Sequence, residues 1–281
     1  MEAYVMDAFS ARVFGGNQAG VALPERELPD ALMQQVAAEF KHSETAFVRV
    51  EEDGSVTLRY FTPAGEVELC GHATVASFAL LRQLGRIGDG DVTAHTRAGE
   101  LSVTVQGGTV WMDMAKPQLL RELGEDEWAA FYEAYGLTAA DRPEGLTPAI
   151  VSTGLADVML PVRDHETLMR AVQNEAAVTA LSKQYDVTGV HMFSLGDGCT
   201  AYCSNYAPLY DIPEECATGT SNGALTYYLY LRGIVQPERE NVFLQGEHMN
   251  RPSEIRSRLY EQGGAVNVRV GGSAVMSMQC E

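Results

Sequence analysis

Two stretches of this chain bring reactive side chains together with small residues. The first is Cys70-Gly71-His72-Ala73-Thr74, and the second is Cys216-Ala217-Thr218-Gly219-Thr220-Ser221. Each precedes an apolar stretch that reads as a helix, so each cysteine is expected just before a helix N-terminus. Unpaired N–H groups and the helix dipole favour negative charge there. That lowers a thiol below its free pKa of about 8.5 and raises its thiolate fraction. Two such thiols can exchange protons at a carbon beside a carboxylate, one as base and the other as acid. Helix N-termini can hold the carboxylate, and Gly71, Ala73 and Gly219 let the backbone approach it. The plain alternative is that both cysteines are small buried hydrophobes.

Other groups could take part. Glu44, in His42-Ser43-Glu44-Thr45-Ala46-Phe47-Val48, stands beside an apolar run where a carboxylate can serve as acid or base, or simply close a turn. His72 could relay a proton or bond the local backbone. Asn17 and Gln18 lie in a Gly-flanked turn and could donate to a substrate carboxylate. Asn222 and Arg251 are lesser candidates.

The elements that must position these residues form a weak internal repeat. Arg59-Tyr60-Phe61-Thr62-Pro63 leads to Cys70, and Ser204-Asn205-Tyr206-Ala207-Pro208 leads to Cys216. Each half reads as strand, aromatic–x–Pro, short loop, Cys, small-residue turn and helix. We expect an N-terminal lobe over 1–117, with a last strand at 272–281 able to return to it, and a C-terminal lobe over 118–271. On this reading the two lobes face each other and present the thiols across a cleft. Helices are expected over 30–40, 73–84, 165–184 and 219–232, with strands at 4–9, 45–50, 56–61, 149–153, 157–162, 189–194 and 200–206. Alternation in Leu101/Val103/Val105 and Val110/Met112/Met114 predicts a hairpin turning at Gly107-Gly108. The acidic segment 118–147 reads as a connector carrying one helix.

Composition narrows the function. With 281 residues and a formal net charge of −18, the chain lacks the basic surface that nucleic acid requires. No run of about 18 apolar residues suggests a membrane span. The N-terminus lacks the marks of a signal peptide. The five cysteines are an odd number with no CxxC pair, which predicts reduced thiols in a cytoplasmic protein and no structural zinc. No GxGxxG, Walker, HExxH or GxSxG pattern occurs. The expectation is an isomerase with no cofactor or metal, acting on a small carboxylate-bearing metabolite.

The sequence resembles the PhzF, phenazine biosynthesis-like, family. The resemblance is carried by Val5-Met6-Asp7-Ala8-Phe9, Phe14-Gly15-Gly16-Asn17-Gln18-Ala19-Gly20-Val21 and Ser43-Glu44-Thr45-Ala46-Phe47. It continues in Tyr60-Phe61-Thr62-Pro63, Cys70-Gly71-His72-Ala73-Thr74, Tyr206-Ala207-Pro208, Thr218-Gly219 and Gln245-Gly246. It implies an α+β, diaminopimelate epimerase-like fold of two pseudo-symmetric lobes, each a curled, mostly antiparallel sheet around a central helix. It also implies a homodimer and, in the phenazine isomerase, an acid/base at Glu44 with His72 beside it. Where that enzyme has Asp-Pro, this chain has Glu215-Cys216. The two cysteine segments look like the paired motifs of proline racemase and diaminopimelate epimerase, which implies a two-thiol racemase. Three readings follow: a two-thiol amino-acid racemase or epimerase, a PhzF-type isomerase using Glu44, and a non-catalytic binder that kept the fold.

Overall fold

The computed structural model describes residues 1–280. Its contacts divide the chain into two compact units, one of residues 1–113 and 271–280 and the other of Met114–Val270.

The first unit opens with β1 (Glu2–Ala8), β2 (Asn17–Leu23), α1 (Asp30–Phe40), β3 (Glu44–Val50), β4 (Val56–Phe61), β5 (Glu66–Val67), α2 (Gly71–Gln83), β6 (Gly90–Thr96), β7 (Gly99–Gln106) and β8 (Thr109–Asp113). β1 pairs antiparallel with β2, β2 parallel with β3, β3 antiparallel with β4, and β4 parallel with β6. β6, β7 and β8 continue antiparallel, with the β7–β8 hairpin turning at Gly107-Gly108 as the alternation predicts. A parallel pair needs a crossover, and α1 supplies it between β2 and β3. α1 is amphipathic, burying Met33 and Ala37 against Ala22, Phe47 and Phe61.

α2 differs in kind. Residues His72 to Ser77, Phe78, Leu80 and Leu81 are all buried, so the helix is enclosed nearly all round. It packs on β1, β2, β3 and β8. A helix sheathed in this way cannot slide or rotate without opening the core, so its N-terminus is a rigid platform.

The second unit runs β9 (Gln118–Glu122), α3 (Glu125–Glu133), β10 (Ala149–Ser152), β11 (Ala156–Pro161), α4 (His165–Met169), α5 (Glu175–Tyr185), β12 (Gly189–Leu195), β13 (Ala201–Ala207), β14 (Ile212–Glu215), α6 (Gly219–Leu231), β15 (Glu240–Gln245), β16 (Ser253–Gln262) and β17 (Ala265–Gly272). β9–β10 and β10–β11 are antiparallel, β11–β12 parallel, β12–β13 antiparallel, β13–β15 parallel and β15–β16 antiparallel. The last strand, β18 (Ala274–Cys280), pairs antiparallel with β1 on the side away from β2.

With β18 in place, both units have the same ladder: two antiparallel pairs, a parallel pair, an antiparallel pair, a parallel pair, then antiparallel again. α5 occupies the crossover that α1 occupies, and α6 the place of α2. α2 and α6 each have 13 residues. The fold is mixed α and β, two like lobes each built around one enclosed helix. Among the described residues no helix is long and apolar enough to cross a membrane.

The reading of 118–147 as a connector is corrected. β9 is a ladder strand of the second unit, and α3 buries Trp128, Phe131 and Tyr132 in an apolar cluster of that unit, with Tyr135 and Leu137 just beyond. The segment's acidic face masks an aromatic stripe at helical spacing. Phe131→Ala should therefore cost about 3–5 kcal/mol in urea unfolding. Val172→Ala, at an exposed site, should stay within about 0.5 kcal/mol.

Candidate functional site

In the first unit, Glu44, Cys70 and His72 converge. Glu44 opens β3, and the parallel register pairs it with Ala19 of β2. Asn17 and Gln18, the first two residues of β2, therefore lie at the same end of the sheet as Glu44. Gly16 fixes that end. Its φ is +60°, and a Cβ there would lie 2.1 Å from the Ala8 carbonyl oxygen, so only glycine makes the turn into Asn17.

Cys70 is the N-cap of α2, with extended φ and ψ. Its carbonyl accepts from the Thr74 amide at 3.0 Å and from Thr74 Oγ1 at 2.7 Å. The Thr74 hydroxyl also meets the Tyr60 hydroxyl at 2.6 Å, which ties the cap to β4. Cys70 Sγ lies 3.5 Å from His72 Nδ1 and 3.8 Å from Nε2. His72 Nε2 lies 3.2 Å from Glu44 Oε2 and 3.4 Å from Ser43 Oγ. Cys70 and His72 are buried, and the Glu44 side chain is 20 % exposed.

Charge follows from this packing. Burial would raise the Glu44 carboxyl, but the hydrogen bond and charge of His72, with Ser43 and Cys70, outweigh it and hold the group below its ordinary range. Burial would lower His72, yet the thiol and the carboxylate hold its imidazole well above ordinary. The Cys70 thiol is raised by burial, and Glu44 adds to this while His72 opposes it. Glu44 is thus shifted toward its ionised form, and His72 and Cys70 are shifted toward their protonated forms. This departs from the thiolate expected of a cysteine at a helix N-terminus, because burial outweighs the dipole. The carboxylate, imidazole and sulfur could also hold a metal ion.

Gly71 is not forced by packing. A Cβ on Gly71 would meet only Met112 Cε, at an ordinary 3.7 Å. Ala73 is fully buried inside α2, so its small side chain serves helix packing.

The second unit places its residues differently. The N-cap of α6 is Thr218, and Cys216 lies two residues upstream, buried, between β14 and the cap. The ladder shows the equivalence. Tyr60 of β4 pairs with Val67, and Asn205 of β13 pairs with Glu215, each followed three residues later by the cap. Cys70 thus corresponds to Thr218, and Cys216 to Glu68. Matching the halves by Pro-to-Cys spacing is corrected here. Pro208–Tyr210 forms a 3-10 turn that lengthens the second loop, whereas the Thr62–Gly65 turn after β4 is tight.

Around that cap lies a buried polar network that joins Thr218, Asn222 and Gln245, singled out in the sequence, to Asp157, His191 and Asn205, which were not read as site residues. Gln245 Nε2 donates to the Glu215 carbonyl at 2.7 Å and to Thr218 Oγ1 at 3.1 Å. Its Oε1 accepts from Asn222 Nδ2 at 2.8 Å and the Thr218 amide at 3.3 Å. Thr218 Oγ1 donates to Glu215. Ser221 Oγ donates to Asp157 Oδ2 and accepts from Asn205, so its hydroxyl is held within the unit. The carbonyl of Thr220 accepts from Thr153 Oγ1 at 2.8 Å. His191 lies 3.3 Å from Asn222 Oδ1 and 3.2 Å from Asn205 Nδ2. Only a Gln-Gly pair and isolated polar residues in strands hinted at this set.

Burial pulls His191 down to about 4 against only a weak opposing bond from Asn222. The unfolded chain then binds more protons between the ordinary imidazole pKa and 4, so stability falls as pH drops through that window. The loss from this residue should approach about 3 kcal/mol at the acid end. Denaturant unfolding from pH 7 to pH 4 checks it, and His191→Gln should flatten the slope.

Comparison with known proteins agrees with this architecture. The family model described as "Phenazine biosynthesis-like protein" (PhzC-PhzF) matches residues 6–280. The uncharacterized isomerase YddE of Escherichia coli O157:H7 is 32% identical, covering 100% of this chain and 97% of that protein. A PhzF-family protein of Bacillus anthracis superposes with a TM-score of 0.89 at 24% identity, covering 100% of this chain and 98% of the other. A Pseudomonas aeruginosa protein described as a predicted epimerase superposes at 0.79 with 28% identity, over 100% of this chain and 98% of its own.

Proposed function

Because this chain belongs to the PhzC-PhzF, phenazine biosynthesis-like, family of isomerases, we propose that it moves a proton on a small carboxylate-bearing metabolite using the Glu44–His72–Cys70 cluster. The observation that carries this is the convergence of the three side chains, with His72 Nε2 3.2 Å from Glu44 Oε2 and 3.8 Å from Cys70 Sγ. His72 holds the Glu44 carboxyl below its ordinary range, which suits a base, while the Cys70 thiol and the His72 imidazole are held above theirs, which suits acids. A carboxylate can take a proton from an acidic C–H, and an adjacent acid can return one to the substrate. A base and its acids on one platform suit transfer of a proton from one position to another on the same side of a molecule. Such a step needs no electron sink beyond the substrate's own conjugation. Asn17 and Gln18, at the same sheet end as Glu44, are proposed to hold the substrate carboxylate. Thr218 and Gly219 at the α6 N-terminus are the corresponding groups of the second unit.

A second reading is two-thiol racemisation, in which Cys70 and Cys216 alternate as base and acid. It is favoured by the burial of both thiols near helix N-termini. The offset of Cys216 from the α6 cap places it behind the first.

Solvent exchange separates them. With a panel of small amino and hydroxy acids and unsaturated cyclic carboxylates in D2O, deuterium uptake at carbon identifies a turned-over compound. On the Glu44 reading, Glu44→Gln lowers the uptake rate by at least about 100-fold while Cys216→Ser keeps it. If Glu44→Gln retains exchange and both Cys70→Ser and Cys216→Ser abolish it, the two-thiol reading replaces this one.

A further inference from the structure

We infer that His248 is a charged pin tying the segment that enters α6 to α4, and that loss of its proton releases that segment. The geometry requires the charge. His248 Nε2 lies 3.1 Å from the Met169 carbonyl oxygen at the end of α4, and Nδ1 lies 3.3 Å from Glu214 Oε1 on β14. A carbonyl and a carboxylate only accept, so both ring nitrogens donate, and only the imidazolium has two N–H groups. A third neighbour, Ser204 Oγ of β13, stands 3.2 Å from Nδ1 and shows what a neutral ring would do. With its one proton kept on Nε2, the ring still holds Met169, and Nδ1 can accept from the Ser204 hydroxyl. That lone pair then faces the Glu214 carboxylate, so the tie to β14 is the one lost. The His248 and Glu214 side chains are only 19 % and 17 % exposed, so salt screens the pair less than a surface pair.

The surroundings support the same charge state. Glu214 holds the imidazole above its ordinary range against burial, helped by the Met169 carbonyl and by Glu247 of the same loop. The other ionisable groups near Glu214 are the phenols of Tyr206 on β13 and Tyr135 just after α3, and burial pushes both up, so they stay neutral. Proton binding therefore favours the pinned state, which weakens as pH rises through the raised value. A second histidine supplies a contrast. His165 of α4 stacks on Tyr202 of β13 with ring centroids 4.0 Å apart, and its Nε2 lies 2.6 Å from Glu247 Oε2. One nitrogen facing an acceptor is served by a neutral ring with its proton on Nε2, so this tie needs no charge. The loop also closes on itself, with the Arg251 amide donating to the Gly246 carbonyl and the Asn250 amide to the Glu247 carbonyl, both at 3.0 Å. Deprotonation of His248 thus frees β14 rather than the loop. β14 has little else to hold Glu214, because its ladder contacts with β13 are Asn205 with Glu215 and Ala207 with Ile212. Past Glu214 the chain meets Gln245 and Thr218 through Glu215, and Gly246 packs on Cys216, where a Cβ would lie 2.7 Å from the Cys216 carbonyl oxygen. If Thr218 and Gly219 meet the substrate carboxylate, as in the proposed function, the pin makes that contact pH-dependent; only this consequence rests on that reading.

The test is amide hydrogen–deuterium exchange of the full chain, followed by mass spectrometry between about pH 6 and about pH 9, with labelling times scaled to the intrinsic rate at each pH. We expect peptides covering 212–218 to lose protection by at least about ten-fold, the factor that one unit of raised pKa supplies, in a step above the ordinary imidazole range. Peptides of β12 should keep theirs. His248→Gln should give the released level throughout, with no step. Glu214→Gln, which keeps the imidazole and removes its charged partner, should also abolish the step. His165→Gln should leave the step in place. Far-UV circular dichroism establishes that each variant is folded. Constant protection of 212–218 across the range in the unmutated chain, or a step that survives His248→Gln, overturns the inference.

Discussion

The ion pair between Glu44 and His72 is the interaction on which the candidate site depends. It sets a carboxylate and an imidazolium 3.2 Å apart at the N-terminal turn of an enclosed helix. A cation there is opposed by the helix dipole and by burial, and Cys70 together with Glu44 raises the imidazole against both. The carboxylate in turn resists protonation because of His72. Each partner's charge is a condition of the other's, and the Cys70 thiol is held neutral in the same pocket. Removing either charge would leave the other buried and uncompensated, which is the expensive case. The enclosed walls of α2, the Tyr60–Thr74 tie to β4 and the glycine turn before Asn17 all hold backbone in place around this pair.

The duplicated ladder gives that pair its meaning. The second unit repeats the topology, yet at the equivalent positions it carries Gly189 for Glu44, Thr218 for Cys70 and Thr220 for His72. Around them it has Gln245 bracing the loop from Glu215 to Thr218, backed by Asn222, Asn205, His191 and Asp157. One unit's helix terminus gathers Glu44, Cys70 and His72, while the other's is braced by a network of hydrogen bonds. A single scaffold has been put to two uses, and the difference lies in a handful of side chains at the mouths of two similar helices.

Much of this was legible in the sequence. Alternation marked the β7–β8 hairpin, and the run from Ala73 to Leu84 read as a buried helix because it lacks both strand alternation and a polar face. Glu44, Cys70 and His72 were all identifiable as reactive residues in small-residue or turn contexts. What could not be read was their protonation, since burial reversed the effect expected of a helix N-terminus on Cys70. Spacing also misled at Cys216, because a 3-10 turn absorbed residues that linear counting assigned to the loop. The aromatic stripe of α3 was hidden by its acidic partners, and the His191 network was invisible because its members come from separate strands and helices with no periodic signature.

The central claim is tested most directly by the titration of His72, followed through its imidazole resonances in isotope-labelled protein. The account predicts that His72 stays protonated well above the ordinary imidazole range, and that Glu44→Gln brings it down. A His72 that titrates at or below the ordinary value in the unmutated chain, and does not move when Glu44 is neutralised, would contradict it.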